Sequence, residues 1–347
     1  MKKVYILAYS KMNLGDDLFV DILINRYKNI MFYSHAIDTK SDIYIKNNNI
    51  NFMDKNLEQL LVDDLSDFSA FVYIGGSIFM EKAGGIERIE KLNKLVLKCK
   101  NSNIPFFYIS CNFGPFNTNE YKQLVEDMFK NTTDTCFRDI TSYNMFKDIK
   151  NIRYAPDVVF SYNKEENSKQ LNTLGVSVIN FKYRESQKNY EKKYYAILIN
   201  TILNFLKHEK EVTLFSFCKY EGDEETIDYI LQKLPNQYKS KVKIINYDGN
   251  LNKFLDIYSK MEYVICSRFH SMILSYIFNQ KKYVISYSEK IDNVIDDLKI
   301  SDNIFHIEQL NEKNIINIDE FEHKKINNEI KIMAEKQFYI LDKYLNC

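Results

Sequence analysis

Arg268-Phe269-His270-Ser271 sets a guanidinium and an imidazole two residues apart. The stretch comes directly after the apolar run Tyr263-Val264-Ile265-Cys266 and directly before a helix-like segment carrying Met272, Ile273, Ile277 and Phe278. A strand that ends in Arg-x-His at the mouth of a helix gathers a bidentate anion clamp, a titratable proton donor and backbone N–H groups in one place. Such a site suits a phosphorylated, carboxylated small molecule. Taken alone, the four residues fit equally a surface arginine and a histidine that satisfies a local carbonyl.

Other residues with chemical potential also stand just after apolar runs. Arg138-Asp139 heads a segment with Ser142, Tyr143 and Phe146, so Asp139 is expected to cap a helix and leave Arg138 pointing into a cleft. The competing reading is a local surface ion pair worth ~0–1 kcal/mol. Pro156-Asp157 follows Ile152 to Tyr154 and also fits a plain turn. Lys290, in Tyr287-Ser288-Glu289-Lys290, adds an ammonium near Arg268 or is a solvated lysine. The chain has only 9 glycines, and several fall at such turns: Gly15 in Asn13-Leu14-Gly15-Asp16-Asp17, Gly75-Gly76 after Ala70 to Ile74, and Gly114 before Pro115. Glycine there lets the backbone adopt positive φ and come close to a ligand, although each turn alone fits an ordinary tight bend. There is no GxGxxG and no Walker lysine. His35, His208, His306 and His323 have no comparable context.

The elements that must hold these residues read as short β-rich runs alternating with amphipathic helical stretches, the pattern of parallel sheets flanked by helices. The first series of strands is expected at Val4 to Tyr9, Ala70 to Ile74, Pro105 to Ser110, Thr135 to Phe137 and Ile152 to Tyr154. Helices are expected near Asp16 (Leu18, Phe19, Ile22, Leu23, Tyr27) and from Ile86 to Lys98. The second series is expected at Gly175 to Asn180, Val212 to Phe217, Val242 to Asn246, Tyr263 to Cys266, Lys282 to Ser286 and Ile304 to Ile307. Polar Ser161 to Ser168 reads as the linker, giving domains at residues 1–162 and 163–347. Apolar residues from Ile318 through Leu345 predict a long closing helix that can pack back on the first domain, and the Asn-rich stretch Asn47 to Asn51 reads as a turn. Two tandem α/β domains imply a cleft between them, with ligands outside the carboxyl ends of the strands.

Bulk properties narrow the class. The 347 residues suffice for two domains at about 150 residues each. Lys plus Arg number 47 and Asp plus Glu 47, so the net charge does not favour a nucleic-acid partner. The 6 cysteines are scattered singly, which argues for a reducing compartment and against a zinc site or disulfide framework. The basic, then apolar N-terminus is too short for a signal sequence and reads as a first strand. No stretch reaches the ~20 apolar residues of a membrane span. A cytoplasmic protein is expected, with contact at the inner membrane face left open.

In order along the chain, these turns resemble the polysaccharide pyruvyl transferase family. Asn13-Leu14-Gly15-Asp16-Asp17 is similar to its Asn-x-Gly-Asp turn, Gly75-Gly76-Ser77 to its glycine-rich turn and Gly114-Pro115 to its Gly-Pro. Arg138-Asp139 with Ser142 looks like its Arg-Asp-x-x-Ser, Pro156-Asp157 its Pro-Asp, Arg268-Phe269-His270-Ser271 its Arg-Leu-His-Gly and Tyr287 to Lys290 its Tyr-x-x-Lys. The departures are Ser77 for glycine, Phe269 for leucine and Ser271 for glycine.

The resemblance implies an α/β fold of two Rossmann-like domains facing a cleft, similar to GT-B glycosyltransferases, with the first domain on the acceptor side and the second on the donor side. It implies phosphoenolpyruvate as donor and a sugar of a surface polysaccharide or its precursor as acceptor, free or lipid-linked, joined as a pyruvate ketal; with no metal-ligand cluster in the sequence, the reaction is expected to need no metal and no cofactor. By this resemblance Arg268, Arg138, Ser271 and Lys290 bind the donor, and Asn13, Gly15, Gly75, Gly76 and Asp157 face the acceptor. His270, with an ordinary pKa near 6.5, is the acid toward carbon or leaving phosphate. Asp16 is the first choice of base, with Asp157 second. The alternatives are a nucleotide-sugar glycosyltransferase of the same fold and a catalytically silent glycan-binding relative.

Overall fold

Strands buried on both faces need mostly apolar side chains, and the central runs of this chain supply them. All six residues of Phe106–Cys111 are buried, as are Val4, Tyr5 and Ile6. Such strands pair in parallel beneath helices on both sides. A computed structural model describes residues 1–35, 41–82, 84–163, 168–182, 184–300, 304–311 and 313–345. The chain forms two units, one of Met1–Lys11, Asp16–Tyr162 and Asn328–Cys347, the other of Met12–Gly15 and Asn163–Asn327.

In the first unit a 7-stranded sheet is built from β1 (Lys3–Leu7), β2 (Met31–Ser34), β3 (Ile50–Phe52), β4 (Ala70–Ile74), β5 (Phe106–Cys111), β6 (Asp134–Phe137) and β7 (Ile152–Tyr154). Their order is β3-β2-β1-β4-β5-β6-β7. Every adjacent pair is parallel. The helix Gly85–Asn101 covers one face with Ile89, Leu92, Val96 and Cys99 at helical spacing. Strands β2 and β3 were not expected from the sequence. They are short, and β3 begins inside the Asn-rich stretch read as a turn, where Ile50 is its only buried residue.

The second unit holds a 6-stranded parallel sheet of β8 (Gln170–Ser177), β9 (Glu211–Ser216), β10 (Val242–Asn246), β11 (Met261–Cys266), β12 (Lys281–Ser286) and β13 (Ile304–His306). Their order is β10-β9-β8-β11-β12-β13. Strand order reverses between β1 and β4 in the first sheet and between β8 and β11 in the second. At such a point the connecting chains leave in opposite directions and open a crevice at the carboxyl ends.

The closing segment corrects the expected domain bounds and the single long helix. Residues from Asn328 onward belong to the first unit, and they form the helices Asn328–Glu335 and Tyr339–Leu345 separated by the tight turn Lys336–Phe338. At the break, Arg153 takes the carbonyls of Lys336 and Gln337, which a continuous helix would use for its own N–H groups. The buried Gln337 amide then accepts from Ser110 N at 2.9 Å and donates to Ala155 O at 2.6 Å, tying the segment to β5 and the end of β7. Ile318, Phe321 and Ile326 lie before these helices, and Phe321 packs in the core of the second unit. Of the expected linker, residues 164–167 lie outside the described residues, and the units divide between Tyr162 and Asn163. No helix among the described residues is long and apolar enough to cross a membrane.

Candidate active site

At the reversal of the second sheet, β11 ends and Ser267-Arg268 leads into the helix Phe269–Ile277. The Ser177 hydroxyl at the end of β8 accepts from Ser267 N at 3.0 Å and so fixes the exit of the chain. Arg268 is only 8% exposed. Its Nε donates to Val178 O at 3.3 Å, and its terminal nitrogens form ion pairs with Glu221 and Asp223. Asp223 is itself fully buried and accepts from Phe217 N at 2.9 Å and Cys218 N at 3.1 Å, which ties Arg268 to the end of β9. The open anion fork expected of Arg268 is therefore corrected: both ends of its guanidinium hold the protein's own carboxylates.

Against this cluster lies the segment Met12–Gly15, which belongs to the second unit although the sequence places it after the first strand. Leu14 N donates to Phe217 O at 3.0 Å, and Asn13 forms a bridge with Cys218. The Asn13 side chain accepts from Gly15 N at 3.0 Å and donates to Glu221 Oε1 at 3.2 Å. Gly15 sits on the His270 imidazole so closely that a Cβ there would lie 1.8 Å from Nδ1. His270 is half-buried, with Nε2 shielded from solvent. Asn13 and Gly15, expected on the acceptor side of the first domain, thus stand with the residues expected to handle the donor.

Glu221 joins these parts. Its Oε2 accepts from Arg268 and, at 3.2 Å, from Arg184, which stacks over the Tyr287 ring with its guanidinium 5.1 Å from the centroid. Burial pushes the Glu221 carboxyl up, but the charges of Arg268 and Arg184 outweigh it and hold the group at about 2, well below its usual 4.5. Two guanidinium and two carboxylate charges cancel across the cluster.

Ser271 needs a correction too. It is fully buried, and its hydroxyl lies 2.7 Å from the Tyr258 hydroxyl, which also donates to Ser271 O at 3.0 Å. A residue turned into the core in this way supports the helix and meets no donor. Lys290 lies half-buried in the first turn of the helix Glu289–Asp297.

In the first unit, Gly76, Asn112, Arg138 and Asp157 gather from the chain following β4, β5, β6 and β7. Arg138 is 4% exposed and donates to Asp157 at 2.8 Å and Asn112 Oδ1 at 2.7 Å. A Cβ on Gly76 would lie 2.4 Å from the Arg138 guanidinium, so this glycine makes room for a side chain of the protein itself. Asp157 has no exposed surface and also accepts from Val159 N at 2.9 Å. Neither the cleft-facing Arg138 nor an Asp157 that meets a sugar fits this geometry; the two form a buried ion pair that braces the strand ends. Asp139 caps the helix Ile140–Phe146, as its spacing suggested, by accepting from Ser142 N at 2.7 Å. Asp16 is half-buried in the first turn of the helix Leu14–Arg26, and Gly75 lies beside it.

The sequence reading missed Asn112, Arg184, Glu221 and Asp223. Each follows the carboxyl end of a strand, so the rule that singled out Arg268 and Arg138 also covers them; none stands in a distinctive motif.

Two parallel Rossmann-like sheets, each with polar residues at its reversal point, define a GT-B-like protein. The chain resembles the UDP-GlcNAc 2-epimerase of Methanocaldococcus jannaschii at 11% identity, with a TM-score of 0.60 over 99% of this chain and 100% of that one. It resembles Staphylococcus aureus MnaA, in a co-structure with UDP, at 13% identity and a TM-score of 0.54, over 100% of this chain and 97% of that one. These likenesses define the fold. A family model for polysaccharide pyruvyl transferase matches residues 13–289, and the chain belongs to that family. The amylovoran biosynthesis protein AmsJ of Erwinia amylovora is 20% identical over 280 residues, a match covering 74% of this chain and 66% of AmsJ, just under two thirds of the relative's length.

Proposed function

We propose that the protein transfers the pyruvyl group of phosphoenolpyruvate to two hydroxyls of a polysaccharide sugar, free or lipid-linked, as a ketal. The observation that carries this reading is the contact of His270 with Gly15: an imidazole held at the reversal point of a sheet by a backbone that leaves no space beside it. Membership of the pyruvyl transferase family supports the choice of donor.

His270 gives its proton to the methylene carbon of the enol, and cationic character develops at the adjacent carbon. One sugar hydroxyl forms a C–O bond there, phosphate leaves with the electrons of its C–O bond, and the second hydroxyl closes the ketal. Of the two hydroxyl protons, one replaces the proton lost by His270 and the other departs on phosphate. Asp16, next in the chain to Gly15, is the proposed base. Lys290, in the first turn of the helix Glu289–Asp297, supplies positive charge toward the donor. The chemistry is acid–base throughout and needs no redox cofactor. The proposed setting is the cytoplasm, free or against the inner face of the membrane.

Phosphate release from phosphoenolpyruvate with a panel of glycan acceptors tests the proposal. His270→Ala should lower turnover roughly 10²–10⁴-fold while leaving donor binding nearly intact. Near-native turnover of that variant would remove His270 from the chemistry. Stabilisation of the protein by nucleoside diphosphates but not by phosphoenolpyruvate would transfer the assignment to a glycosyltransferase.

A further inference from the structure

Arg184 and Arg268 meet on one oxygen of Glu221, yet their surroundings differ. Arg268 is enclosed, with Asp223 on its far side and Val178 O beneath it. Arg184 is 16% exposed on its side chain, and among the described residues its only carboxylate partner is Glu221. Its NH1 donates to Asn180 O, its NH2 to Glu221, and the Tyr287 ring supports its face. A guanidinium carries five N–H donors in a rigid plane. The described acceptors take two of the five on Arg184, which leaves part of the fork for another planar or trigonal oxyanion. Arg184 also lies in the chain that leaves β8, one of the two strands at the reversal point, whereas Arg268 follows the other.

We propose that Arg184 is the arginine that grips the anionic end of the donor, a phosphate or carboxylate, while Arg268, Asp223 and Glu221 hold the fork in place. The identity of the donor rests on the function proposed above; the anion site does not. Stacking on Tyr287 keeps the plane of the guanidinium fixed, so little rotamer entropy is lost when the anion arrives. Glu221 then shares Arg184 with the incoming oxyanion. Asn13 on its other oxygen keeps the carboxylate from swinging away with the ligand.

Calorimetric titration of the full chain with inorganic phosphate and with phosphoenolpyruvate tests this, on the wild type, Arg184→Ala and Arg184→Lys. The alanine variant should bind both anions at least tenfold more weakly, and in the turnover assay its KM for donor should rise with kcat within a few-fold of the wild type. The lysine variant should recover only part of the affinity, because it keeps the charge without the fork; it also serves as the readout if the alanine variant does not fold. Unchanged affinity for both anions in a folded Arg184 variant would overturn the proposal and leave the donor assignment standing. Arg184-dependent binding of phosphate with no binding of phosphoenolpyruvate would uphold the anion site and sink the donor assignment. A wild type that binds neither anion would overturn both.

Discussion

Gly15→Ala isolates the contact on which the proposed chemistry depends. The new Cβ would lie 1.8 Å from His270 Nδ1 and 2.5 Å from Cε1 and Cγ, where ordinary contact begins at 3.4 Å, so the imidazole or the turn must yield by roughly 1.6 Å. A misplacement of about 1 Å in a reacting group lowers a rate ~10²-fold, and a drop of at least about 100-fold in kcat is expected. The local backbone gives no reason for such a loss. Gly15 lies in the first turn of a helix, outside the left-handed region, and there alanine should stabilise by ~0.5–1 kcal/mol. Forcing a methyl group against a fixed ring costs about 1–3 kcal/mol, so the single variant should be neutral to moderately destabilised. In a His270→Ala background the obstacle is gone, and the same substitution should become neutral or stabilising. Denaturant unfolding of the four proteins of this double-mutant cycle, together with phosphate-release kinetics on the two that keep the imidazole, gives both quantities. Turnover of Gly15→Ala within about threefold of the wild type would show that the His270 position does not limit the chemistry, and an equal stability change with and without the imidazole would show that the ring is not the obstacle.

Ser271→Ala should destabilise the protein by about 1 kcal/mol through loss of the hydroxyl contact with Tyr258 and leave the donor KM unchanged; a raised KM would return Ser271 to the donor site. Glu221 has a folded pKa depressed to about 2 from 4.5, so its ion pairs stabilise fully above pH 4.5 and lose that contribution as pH falls through 2. The stability gap between the wild type and Glu221→Gln, measured by unfolding from pH 6 downward, should therefore shrink between pH 4.5 and 2, and a gap that stays constant across that window would contradict the assigned charge state.

Much of the architecture was legible because it is encoded locally. Ala70–Ile74, Ile152–Tyr154 and Val242–Asn246 occupy the residues that their apolar and β-branched content marked, and the other expected strands differ at their ends by a few residues. The helix Gly85–Asn101 announces its buried side every three or four residues. Strand β3 escaped because only Ile50 of its three residues is buried and asparagines flank it, and β2 is a short apolar run that the sequence reading passed over. The closing helix was overextended because its interruption depends on Arg153 and Gln337 reaching backbone groups nearly two hundred positions away.

Local sequence sets the rhythm of strand, turn and helix, and with it the placement of the chemistry-bearing residues at strand ends. Periodicity, capping residues and glycines at turns act over a few neighbours, so they can be read without a fold. The partner of each charge is fixed only when the chain folds. Arg138 meets Asp157, Arg268 meets Glu221 and Asp223, and Asn13, itself part of the second unit, meets Glu221, 208 positions away. Ion pairs and close packing follow distance in space, and no local pattern records which loops a sheet's carboxyl edge will bring together. For the same reason, the room that Gly15 leaves for His270 and Gly76 leaves for Arg138 is visible only once the chain has folded.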